Sequence, residues 1–148
     1  MGFIRSQRAT IDAPPVAVFD YVADFSRHPE WADQPMEMTV EGGAPVQPGS
    51  KFSTVIKFMG SVPAQGEVLE VQRPSRLVYD CTDSGGSFRW TFDIQPSGAG
   101  SAVTHTVERL RAPLYVKLTQ GPLMWPLIGS RMVGNGLKNI KANLEKTG

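Results

Sequence analysis

The residue pattern predicts an α+β fold: about seven antiparallel strands packed on one long C-terminal helix, with two short helices after the first strand. Three observations carry this. Six β-rich segments lie between Met36 and Arg111, split by turn signals such as "GSVP", "RPS", "DSGG" and "PSGAG", and connections that short imply an antiparallel meander. From Pro113 onward strand signals cease, and Met124, Ile128, Met132, Val133, Leu137, Ile140 and Leu144 share one helical face. Near the start, the strand-like "FIRSQRATID" runs into "APPVAVFDYVADF", whose prolines suit a helix's first turn.

Each element has its own justification. Asp12 is the expected N-cap of the first helix, and Val16, Phe19, Val22 and Ala23 form its apolar face. Ser26 as N-cap and Pro35 as a stop frame a short second helix around His28 to Trp31. The strands then read "MEMTV", "KFSTVIKFM", "PAQGEVLEVQ", "RLVYDCT", "SFRWTFDIQ" and "SAVTHTVERLR". Alternation places Phe52, Ile56 and Phe58, then Leu77, Tyr79 and Cys81, then Phe88, Trp90, Phe92 and Ile94 on the face the helix must cover. The apolar, aromatic stretch "RAPLYVKLTQGPLMWPLIG" is expected to join the last strand to the helix. Gly129, Gly134 and Gly136 interrupt that helix at about 1 kcal/mol each relative to alanine. Either close packing on the sheet or room for a ligand would compensate.

Length and composition exclude several classes of function. The 148 residues are expected to form a single domain, 1–148, large enough for a core of its own. Fifteen basic against fourteen acidic residues, with no long charge cluster, leave no electrostatic footprint for nucleic acid. Cys81 is the only cysteine, so no intrachain disulfide forms. With two histidines and no clustered carboxylates a metal site has no ligand set. There is no phosphate loop, nucleophile elbow or other cofactor signature, and no cofactor is expected. Neither a signal-peptide core nor an integral membrane segment is legible, so a cytoplasmic location is expected.

The residues that invite chemistry are few. In the last strand Val103, His105, Val107 and Arg109 alternate with Thr104, Thr106 and Glu108, so an imidazole is aimed at the interior. Burial disfavours its charged form, leaving a neutral ring that donates one hydrogen bond and accepts another. Three roles stay open for it: a core histidine satisfied by a neighbour such as Tyr79, a ligand contact, or an acid-base group. Arg109, near the strand's end, is expected to reach solvent or an acidic neighbour. Asp80, Asp83 and Asp93 fall on outward or turn positions, and His28 reads as a surface residue.

The stretches "IDAPPVAVFDYVADFSRHPEW", "EVLEVQRPSRLVYD" and "GAGSAVTHTVERL" resemble the polyketide cyclase/dehydrase and lipid-transport family of the START and pollen-allergen (SRPBCC) superfamily. The likeness spans nearly the whole chain. It implies a helix-grip fold, a curved antiparallel sheet gripping the C-terminal helix around an apolar cavity. Side chains expected to meet a ligand there are Phe58, Tyr79, Trp90, Phe92, His105, Met124, Trp125, Ile128 and Met132. The function expected first is binding or carriage of a small hydrophobic molecule, lipid-, polyketide- or quinone-like. The alternative is a cyclase, aromatase or dehydratase with His105 as catalytic acid-base, and a third is a quinone-binding or interaction module. Oligomeric state is not legible.

Overall fold

The strands assemble into one antiparallel sheet. A computed structural model describes residues 3–43, 45–57 and 60–146, without the side chains of 119–126. Phe58, Met124 and Trp125 therefore lie outside the described residues and side chains. The element order is β1 (Phe3–Ile11), α1 (Pro15–Ala23), a 3₁₀ helix (Phe25–Glu30), β2 (Met36–Val40), β3 (Lys51–Lys57), β4 (Ser61–Gln72), β5 (Arg76–Asp83), β6 (Gly86–Ser97), β7 (Gly100–Arg111) and α2 (Leu114–Lys146).

Strands β2 to β7 form the expected meander, and β1 adds beside β7, giving the seven-stranded order β1-β7-β6-β5-β4-β3-β2. The chain must therefore cross from one edge of the sheet to the other between β1 and β2. Helix α1 and the 3₁₀ helix make that crossing. Their buried Val18, Phe19, Val22 and Phe25 close one end of the core with Leu77, Phe92, Ile94, Val103, Leu137 and Ile140. Side chains of this size contribute about 1.5–3 kcal/mol each when fully buried.

The sheet bends where its sequence allows. A register shift between Val68 and Glu70 interrupts the β4–β5 ladder. At Gly66 an added Cβ would lie 2.2 Å from Phe52 Cζ and 2.3 Å from the Asp80 carbonyl oxygen. Only glycine lets these strands approach so closely.

Three boundaries differ from expectation. Pro14, not Asp12, occupies the N-cap of α1, and its carbonyl accepts from Ala17 and Val18 N–H; Pro15 opens the helix. Asp24 caps the 3₁₀ helix by accepting from Ser26 N–H, so Ser26 is the capped residue. Helix α2 begins at Leu114 and runs 33 residues, so the segment expected to join strand to helix is itself helical. Pro113 sits just outside that start, and its carbonyl accepts from Val116 and Lys117 N–H. No helix among the described residues is long and apolar enough to cross a membrane.

Candidate functional site

A cavity of about 550 Å³ lies between the sheet's inner face, the segment following α1 and the middle of α2. Strand alternation aims Thr54 of β3, Tyr79 and Cys81 of β5, Trp90 of β6 and His105 of β7 into it. Helical spacing does the same from above: Ile128, Met132 and Gly136 recur every four residues and line the cavity. The 3₁₀ turn supplies His28 and Trp31, three positions apart and so on one side of the turn.

The site is floored by rings. His105 lies flat on Phe92, its cross-strand neighbour, with centroids 3.9 Å apart and planes 7° from parallel. Trp90 is tilted against His105 at 5.5 Å, and the Trp31 edge meets His105 at 6.1 Å. Trp31 in turn carries His28 at 4.1 Å. Gly136 lies against both rings: a Cβ there would sit in ordinary contact with Trp31 at 3.5 Å and His105 Nδ1 at 3.8 Å. Gly134 instead faces Gln7 of β1, so the helix glycines serve both packing and the cavity.

The unusual feature is polar. His105 is 1% exposed, Trp31 3% and Thr54 4%. Yet His105 Nδ1 and Nε2, Trp31 Nε1, Thr54 Oγ1 and His28 Nδ1 are buried with no hydrogen-bond partner in the protein. All four residues line the one cavity. Buried polar atoms are ordinarily satisfied, and each orphan costs about 1–3 kcal/mol.

Burial also sets protonation. Desolvation pushes both His28 and His105 down to about 3, and for His105 the neighbouring His28 adds to the effect. The Val133 carbonyl works weakly the other way on His105, from outside hydrogen-bonding geometry. Desolvation likewise raises the Tyr79 phenol well above its usual range and the Cys81 thiol to about 12. The buried titratable groups of the cavity, His28, His105, Tyr79 and Cys81, are thus neutral at pH 7. Its charged residues, Asp33, Asp83 and Arg131, are only partly buried or exposed and mark the rim.

A row of asparagines on α2 holds the 3₁₀ segment in place. Asn135 Nδ2 donates to Asp33 Oδ1 at 2.6 Å, Asn139 Nδ2 to the Trp31 carbonyl at 3.1 Å, and Asn143 Nδ2 to the Glu30 carbonyl at 3.2 Å and Tyr21 Oη at 2.9 Å. Spaced four apart, the three point the same way along the helix.

Of the residues singled out in the sequence, Tyr79, Trp90, His105, Ile128 and Met132 are on the cavity wall. Phe92 is not; it is fully buried behind the His105 ring. His28, read as a surface residue, has its ring tilted against Trp31 in the wall, 31° from parallel. Thr54 was missed because a threonine in a strand carries no mark of what it faces. Arg109 does not reach solvent: it is 8% exposed, with its guanidinium 4.1 Å above the Phe3 ring. Asp80 and Asp93 are ion-paired with Arg89 and Arg76. Asp83, placed at an outward or turn position by the sequence, reaches the cavity rim.

A curved sheet gripping a long helix around an apolar cavity defines a helix-grip fold of the ligand-binding kind. The chain belongs to the polyketide cyclase / dehydrase and lipid transport family, whose model matches residues 5–145. Similar solved structures agree on the fold. Ara h 8.0201 has a TM-score of 0.73 at 13% identity, covering 99% of each chain. Protein NE0264 from Nitrosomonas europaea gives 0.70 at 18%, covering 98% of this chain and 96% of its own. DynU16, from the dynemicin biosynthetic locus, gives 0.60 at 18%, covering 95% of this chain and 48% of its own. No curated protein matches the chain in sequence.

Proposed function

We propose that this protein binds or carries one small, largely apolar molecule bearing hydrogen-bonding groups, of lipid, polyketide or quinone character. The observation that supports it is a cavity of about 550 Å³ whose wall includes His28, Trp31, Thr54 and His105, each carrying a sealed polar atom that no protein group satisfies. A ligand carbonyl or hydroxyl that meets two of them, once these side chains turn toward the cavity, gains hydrogen bonds that no protein group supplies. The remaining wall, with Phe52, Tyr79, Trp90, Ile128 and Met132, rewards apolar area at about 25 cal/mol per Å². Neutral histidines suit this role, because each offers one donor and one acceptor without an added charge to desolvate.

Proton transfer on a bound carbonyl compound is the second reading, and the presence of two histidines in one cavity favours it. An efficient acid-base group titrates near the working pH. His105 at about 3 is far from that in the free protein, so carriage is the reading preferred.

Titration with the neutral fluorophore N-phenyl-1-naphthylamine tests the binding reading, with native mass spectrometry of the purified protein alongside. Saturable one-to-one uptake, abolished by Thr54→Phe in a folded variant, is the expected result. Uptake that Thr54→Phe leaves unchanged would place the probe elsewhere and remove the cavity from the account.

A further inference from the structure

We infer that the first turns of α2 dock the protein on an anionic lipid surface. Between Leu110 and Leu118 four large hydrophobic side chains face solvent: Leu110 is 42% exposed, Leu114 70%, Tyr115 56% and Leu118 75%. Leu114 and Leu118 are one helical turn apart and present a single apolar face, with Tyr115 at its flank. An exposed apolar face on a helix end needs a partner that removes it from water.

Charge selects that partner. Between Glu108 and Glu145 the sequence holds no aspartate or glutamate, whereas Arg111, Lys117, Arg131 and Lys138 are exposed and Lys141 is paired with Glu145. Arg111 and Lys117 fall within the patch itself. The acidic residues near this end are Glu108, two positions before Leu110 on the same strand, and Asp83, next to Ser84 whose carbonyl accepts from Tyr115 Oη at 2.7 Å; one Asp83 oxygen accepts from Gly85 N–H. Exposed leucines and a tyrosine flanked by two cations, Arg111 and Lys117, are the composition of an interfacial segment on anionic lipid. A second copy of the chain is the poorer occupant, because a two-fold contact here brings cations against cations.

The position adds a consequence. Ile128, Arg131 and Met132 of the same helix line the cavity, the nearest of them ten residues, about 15 Å, beyond Leu118, so docking fixes the cavity's position relative to the lipid surface. This last point rests on the binding reading; the docking itself does not.

Co-sedimentation with vesicles of phosphatidylcholine containing phosphatidylglycerol, against pure phosphatidylcholine, is the test. Binding at least tenfold stronger to the anionic vesicles and weakened by salt is expected. Leu114→Glu with Leu118→Glu should abolish it, while N-phenyl-1-naphthylamine uptake persists. Lys117→Gln, a fully solvent-tolerant change, should lower it about fivefold, the equivalent of about 1 kcal/mol per surface cation. No sedimentation with either vesicle, equal binding to both, insensitivity to Lys117→Gln, or a solution dimer dissolved by Leu118→Glu would overturn the inference. Because probe uptake is read separately, an empty cavity and a failed docking surface give different results.

Discussion

Acidification from pH 7 to pH 5 should destabilise this protein through its two buried histidines. Both are held neutral by burial, with folded values of about 3 against about 6.5 for the unfolded chain. The sign follows directly. Between those values the unfolded state binds protons that the folded state refuses, so stability falls as pH falls. For one such histidine the loss between pH 7 and pH 5 is about 2 kcal/mol. His105, 1% exposed, should deliver most of that. His28 should deliver less, because the residue is partly open to solvent although its Nδ1 is sealed. The pair therefore removes between about 2 and about 4 kcal/mol, a large share of a typical domain's stability. Carboxylates held low by their partners, Asp20 by Arg73, Glu30 by Arg27 and Glu145 by Lys141, add losses only at more acid pH. Urea unfolding followed by circular dichroism at pH 7, 6 and 5 reads the slope, and His105→Gln should remove the larger part of it. A flat profile in the parent protein, or an unchanged slope in His105→Gln, would refute the buried-neutral assignment.

The other expectations are equally direct. Gly66→Ala should prevent stable folding, since its Cβ would overlap the Phe52 ring and the Asp80 carbonyl; a melting temperature within a few degrees of the parent would contradict the close approach. Asn139→Ala should cost about 1–2 kcal/mol and leave the Trp31 carbonyl unpaired. Hydrogen exchange of the amides around the 3₁₀ helix should accelerate in that variant, and unchanged protection there would mean the asparagine row holds nothing. Cys81 at about 12 should react with a thiol reagent at pH 8 roughly a thousandfold more slowly than a free cysteine. A rate near that of free cysteine would show that the thiol is solvated.

Much of the fold was legible because strand alternation and helical spacing are local signals. The pattern of Val103, His105 and Val107 is an example: all three are buried, as alternation requires. The beginning of α2 was less legible, because "LTQGPLMWPLIG" contains two prolines and two glycines whose intrinsic preferences oppose a helix. The site was half legible. Its β5 and β7 residues follow from alternation, but His28 and Trp31 reach the cavity only because the chain crosses from β1 to β2, a long-range event that no local spacing encodes. Thr54 becomes notable only through what it lacks. Arg109 was misplaced because its partner, the Phe3 ring, lies on β1, a hundred residues away in sequence but directly opposite in register.

The account stands most directly on a comparison of 2-naphthol with naphthalene, titrated into the protein by calorimetry or tryptophan quenching. A purely apolar cavity favours naphthalene, since the hydroxyl of 2-naphthol must leave water. With unpaired histidine, indole and threonine atoms waiting, 2-naphthol should bind about tenfold tighter, and His105→Leu should shrink that margin. Preference for naphthalene, or a margin untouched by His105→Leu, would contradict the claim that these polar atoms exist to meet a ligand.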